Sequence, residues 1–230
     1  MDSIHEMLEA VRAGDMERIR TLLNSDNRLA EARTAAGASP LMTALYYGRK
    51  EIVALLLSRR PEMDFYEAVA LGDENLVQDM ITDHPDLPHS QSWDGFTGLH
   101  LAVFFGHESI ARLLIRRGAD VNAISANRTV ARNARPIHSA VSANRPGMVR
   151  LLLDNGAKVN ARQDGGFTPL HGAAAGGSAV LIELLLSSGA DPSLLAEDGS
   201  SPASIAEQRG HAEIVRLLRE AKNPPPGGVR

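Results

Sequence analysis

Three histidines, His100, His138 and His171, have the type and spacing that could do chemistry. Each sits third in a short apolar context, Gly98-Leu99-His100, Pro136-Ile137-His138 and Pro169-Leu170-His171. Imidazoles stacked in a column could ligate a metal ion, but a structural role is favoured over that reading. His107 and His211 each follow a glycine and read as structural too. Asp73, Glu74, Asp83, His84 and Asp86 form no recognisable ligand spacing. Gly165-Gly166 and Gly176-Gly177 do not follow a buried strand, so phosphate cradling is not expected of them. No serine, histidine and aspartate can act together without a cleft to assemble them. The chain has no cysteine, which removes disulfide and thiolate chemistry. No catalytic residue, metal site or cofactor is therefore expected.

The elements that position these histidines repeat. Gly166-Phe167-Thr168-Pro169-Leu170-His171-Gly172-Ala173 leads to Gly177 and then to Leu184-Leu185-Leu186 and Gly189-Ala190-Asp191. Taking the proline of this motif as a reference slot, Pro136, Pro169 and Pro202 are spaced by 33 residues. Pro40, Gly98, Asp64 and Glu6 fill the slot in four more copies. An alanine stands four residues after every slot: Ala10, Ala44, Ala68, Ala102, Ala140, Ala173 and Ala206. Eight residues after it stands glycine, or Asn144 in one copy. Each copy reads as two helices. Ser39, Thr168 and Ser201 are N-caps, and the proline after each takes the first helical position, where a missing N–H costs nothing. Glycine or asparagine ends the first helix in left-handed backbone. A second helix follows at helical spacing, as in Ile110, Leu113 and Leu114.

The period and the Thr-Pro-Leu-His tetrapeptide resemble the ankyrin repeat. That resemblance implies an all-α ankyrin-repeat solenoid of helix–turn–helix pairs with β-turn fingers. The array is expected over about seven repeats, residues 1–222, with 223–230 as a disordered tail. It also implies that the tetrapeptide histidine hydrogen-bonds neighbouring repeats. Neighbours must stack, because one helix pair cannot bury its apolar face alone. In such arrays partners usually contact the fingers and the exposed end of the first helix. Asn122 and Asn160 occupy a finger position that some hydroxylases modify in this family.

On that frame seven of the nine aromatic residues fall on the concave face. Trp93 and Phe96 belong to the fourth finger, and Phe104 and Phe105 end the helix that follows. Tyr46 and Tyr47 end the first helix of the second repeat, and Phe167 lies in the sixth finger. The core is expected to be almost wholly Leu, Ile, Val and Ala. Clustered exposed aromatics are unfavourable unless they meet a partner, and Trp and Tyr anchor interfaces. The competing reading packs Phe96 and Phe167 finger against finger.

Irregularities mark the same region. Only 24 residues separate Pro40 from Asp64, so no finger fits near 58–63, and Asp64 with Glu67 can form a capping box. The step from Gly98 to Pro136 is 38 residues, which enlarges the finger at 125–135. That finger carries Arg128, Arg132 and Arg135 and no acid, and is expected beside the aromatic cluster, either as a rim for an acidic partner or as a flexible solvated loop. The net charge of −4 argues against a duplex-DNA binder. No apolar run is long enough to span a membrane, and the N-terminus lacks signal-peptide character. The expectation is thus a monomeric, cytoplasmic, non-catalytic module binding a partner protein as scaffold, regulator or inhibitor. Self-assembly, or nucleic-acid binding through the basic finger, is the alternative.

Overall fold

The computed structural model describes residues 3–59, 62–127 and 131–222. Fourteen α-helices lie among them. They are α1 (Ser3–Ala13), α2 (Met16–Ser25), α3 (Pro40–Tyr46), α4 (Lys50–Leu57), α5 (Phe65–Leu71), α6 (Glu74–Asp83) and α7 (Gly98–Phe105). The rest are α8 (Glu108–Arg116), α9 (Pro136–Ser142), α10 (Pro146–Asp154), α11 (Pro169–Gly176), α12 (Ala179–Ser187), α13 (Pro202–Gln208) and α14 (Ala212–Lys222). Consecutive helices pack as pairs, and each odd-numbered helix packs on the next odd-numbered one, from α1 to α13. The fold is an all-α solenoid.

The local rules act copy by copy. Ser39 Oγ accepts the Met42 N–H at 3.1 Å and Ser201 Oγ accepts the Ser204 N–H at 3.1 Å, which caps α3 and α13. The turn glycines after the first helices have φ between 63° and 93°, and Asn144 reaches 50° in the same role. The alanines four residues after each slot are all buried, so the first helices approach closely. At Gly72 the approach is tight: an added Cβ would lie 2.6 Å from the His107 ring. His107 Nε2 stands 2.9 Å from the Ala70 carbonyl, and His211 repeats the contact to Ala175 at 3.2 Å.

The tetrapeptide histidines join neighbouring repeats. His100 Nε2 is 3.2 Å from the Ala134 carbonyl, His138 Nε2 is 3.1 Å from Ala161, and His171 Nε2 is 3.2 Å from Ser200. Their Nδ1 atoms face the N–H groups of Thr97, Arg135 and Thr168 at 3.3, 3.0 and 3.1 Å. An N–H can only donate and a carbonyl can only accept. Each ring is therefore neutral, with its proton on Nε2. Burial lowers the pKa of His100 and His138 to about 4 and also lowers that of His171. Asn122 and Asn160 bridge fingers in the same structural manner. Asn122 donates to the Gly156 carbonyl at 3.0 Å and accepts from Lys158 N–H at 2.9 Å.

The third pair departs from the register. Asp64 is the N-cap of α5, not its first residue, and the Asp64–Glu67 capping box forms. The turn glycine Gly72 stays in place, so α5 is one residue shorter than α3 between first residue and turn. The slot Glu6 likewise lies inside α1, which starts at Ser3. Glu67 takes the position that histidine holds elsewhere. It is fully buried, accepts from Ser39 Oγ at 2.6 Å, and lies 3.1 Å from Arg33 Nη2. The core also holds a ring that aliphatic patterning misses. Phe65 is buried and fills the space beside Gly98, where a Cβ would meet it at 2.9 Å. Buried apolar residues form a large cluster from Met42 to Leu218 and a second from Met7 to Leu56. The two meet around α3.

Candidate functional site

Tyr46, at the end of α3, is the hub of the aromatic group. Its ring centroid lies 6.2 Å from Phe104 and 5.6 Å from Phe105, and those two rings meet edge to face at 5.2 Å. Tyr46 thus reaches from α3 to α7, past α5. Its hydroxyl donates to Asp94 Oδ2 at 2.7 Å. Burial, and then the Asp94 carboxylate, push this hydroxyl well above the usual phenol range, so it stays a donor. Ser92 Oγ donates to the other Asp94 oxygen and also bonds the Phe96 carbonyl at 2.9 Å. The Asn127 amide donates to the Asp94 carbonyl at 2.9 Å, which ties the fourth finger to the enlarged one.

Trp93 leaves this finger toward the second one. Its Cβ lies 2.5 Å from where a Cβ on Gly37 would stand, so the close approach requires glycine there. Residues 60 and 61, in the stretch 58–63 where no finger is expected, lie outside the described residues. Trp93 remains 44% exposed and Tyr47 54% exposed. Phe96, Phe104, Phe105 and Tyr46 are half-buried.

Two cavities open among these residues. One, of about 590 Å³, is walled by Tyr46, Tyr47, Trp93 and Phe96, with Asp94 and Asn127 among its polar lining. The other, of about 310 Å³, lies between Tyr46, Phe96, Leu101 and Phe104, with Ser139 and Ser142 of α9 on its far wall. Tyr46 and Phe96 line both. Sequence reading by aromaticity passes over Asp94, although it sits at a finger position between Trp93 and Phe96.

The arginine finger is placed differently from expectation. Ser125 N–H donates to the Ala134 carbonyl at 2.8 Å, Ser125 Oγ to Ala131 at 2.5 Å, and Asn127 Oδ1 accepts Ala131 N–H at 3.2 Å. This folds the loop back on itself, so Ala126, Asn127 and Ala131 line the cavities. Arg132 instead turns to the next finger, with Nε 3.4 Å from Asp164. Arg135 donates to the Arg162 carbonyl at 2.9 Å. Arg128 and the tail 223–230 lie outside the described residues. Phe167 stands apart from the cluster, edge-on to His171 at 5.7 Å, as Phe96 packs on His100 at 5.6 Å. No group of three or more His, Asp or Glu among the described residues could hold a metal ion. No helix among them is long and apolar enough to cross a membrane.

A family model described as ankyrin repeats (three copies) matches residues 65–163 and 137–225, most of the chain. The chain belongs to the ankyrin-repeat family. Among curated proteins it is 30% identical over 119 residues to a probable E3 ubiquitin-protein ligase of Oryza sativa subsp. japonica, covering 47% of this chain and 24% of that protein. It is 38% identical over 76 residues to the B-cell lymphoma 3 protein homolog of Mus musculus, covering 33% and 16%. To the neurogenic locus Notch protein of Drosophila melanogaster it is 30% identical over 143 residues, covering 60% and 5%. The matched segments are a quarter or less of each relative's length. Ankyrin repeats generally mediate protein–protein interaction, and the family is generally non-catalytic.

Proposed function

We propose that this chain is a non-catalytic ankyrin module of residues 1–222 that binds a partner protein on the face made by its fingers and first helices, the concave side of the array. It acts there as scaffold, regulator or inhibitor, as a cytoplasmic monomer. The observation that supports this is the clustering of Tyr46, Tyr47, Trp93, Phe96 and Phe104 around two open cavities, with Phe105 packed on Tyr46 and Phe104 behind them. Half-buried rings fixed by their neighbours lose little freedom on binding, and exposed Trp and Tyr supply contact area.

The test is an affinity capture from the source cell's lysate, with the wild-type protein beside a Tyr47→Ala/Trp93→Ala variant. Both substituted residues are exposed, so the fold should persist. A protein retained by wild type alone supports the reading. Equal retention by both baits counts against it.

A further inference from the structure

The two cavities differ in chemistry. Asp94 is the only charged residue among the described residues lining the larger one, and no Lys, Arg or His joins it. Its two oxygens accept from Tyr46 and Ser92. A carboxylate has about four lone-pair sites, so capacity for a further donor remains. Trp93 and Tyr47 both line this cavity and are 44% and 54% exposed, so part of each ring is open to a ligand there. Aromatic faces beside a carboxylate attract a cation through both the ring quadrupole and the charge. The net charge of −4 adds attraction for a basic partner. Among the described residues lining the smaller cavity there is no acid, lysine or arginine. Leu101, Phe104 and Ala131 make it a receptacle for an apolar side chain, and its single histidine, His100, is held neutral by burial. An extended chain presents alternate side chains to one surface about 7 Å apart, which suits two cavities sharing a wall.

We propose that this paired groove reads an extended, basic peptide segment of a partner protein. It seats an arginine or lysine between Tyr47, Trp93 and Asp94, and a nearby large apolar side chain between Phe96 and Phe104. This rests on the binding face proposed above and adds the chemistry of what it binds. An acidic segment would meet Asp94 with like charge and is rejected.

The test is selection of random displayed peptides on the full chain, followed by titration of synthetic copies. Trp93 is the only tryptophan, so its fluorescence reports on the groove directly. The expected motif has one basic and one bulky apolar residue at fixed spacing, and its peptides shift Trp93 emission. Asp94→Asn should weaken them tenfold or more, while barely affecting a peptide whose basic residue is replaced by glutamine. Because Asp94 also supports the finger, a second variant guards against misfolding. Ala126→Lys sets a cation at an exposed lining position and should abolish binding of basic peptides. Selected peptides that shift Trp93 but carry no basic residue, or are indifferent to both variants, overturn the charge preference and leave the binding face standing. Peptides that bind without shifting Trp93, and survive Tyr47→Ala/Trp93→Ala, count against both. Failure to enrich any motif overturns the peptide proposal and leaves the face to the lysate capture.

Discussion

Single residues separate core from surface. Leu114 and Leu152 are fully buried, and truncating either to alanine should cost ~2–4 kcal/mol in urea melts, as a cavity within the stack. Tyr47→Ala should cost under about 1 kcal/mol, because that ring is exposed. Phe105 falls between, since its ring contacts Tyr46 and Phe104. The histidine column predicts acid sensitivity. His100 and His138 have folded pKa values near 4, below the ordinary 6.5, so the unfolded chain binds more protons in that window. Stability is complete above pH 6.5, falls as pH drops, and levels off near 4, by up to about 3 kcal/mol per histidine. His138→Gln should be less stable at pH 7.5 but lose less between pH 6.5 and 4.5, measured by urea melts at each pH.

At the scale of the element, α5 is the informative departure. Asp64 caps it, Glu67 stands where histidine stands elsewhere, and across it Tyr46 meets Phe105 while Trp93 approaches Gly37. Gly98 stands where α3, α9, α11 and α13 carry proline, and Phe65 occupies the space a ring would need. Gly98→Ala should therefore destabilise by roughly 1–3 kcal/mol through overpacking, despite alanine's higher helix propensity, as read by thermal melts. Much of this level is legible in the residues. Caps, turn glycines and small alanines act within a few residues, so the Thr-Pro-Leu-His motif and Gly177 announce their own backbone. Contacts set by tertiary geometry are not legible. The Tyr46–Asp94 bond joins residues 48 apart, and nothing in either neighbourhood signals it. Phe65 is hidden because its copy lacks the tetrapeptide. The contacts of Arg132 to Asp164 and of Arg135 to the Arg162 carbonyl are likewise set by tertiary geometry, after the Ser125–Ala134 closure.

Across the whole molecule the apolar core divides around α3, and polar links cross the division. The chief one is buried Glu67, which ties Arg33 and Ser39 of the second repeat to α5. Glu67→Ala removes the acceptor of the Ser39 hydroxyl and leaves a gap in the core, while Arg33, partly exposed, keeps its pair with Asp64. The change should cost about 1–3 kcal/mol. In a solenoid that loss falls on one interface, so α1–α4 should exchange amide hydrogens at lower free energy while α9–α12 keep their protection. The aromatic groove lies on the C-terminal side of this joint and draws Tyr46 and Tyr47 from the other, so binding and joint stability should be linked.

The most direct measurement is hydrogen exchange of the wild-type chain with and without the captured partner. The account predicts new protection at residues 44–48, 91–97 and 100–105, around the aromatic groove. Protection confined to α13 and α14, or to the even-numbered helices, would contradict it.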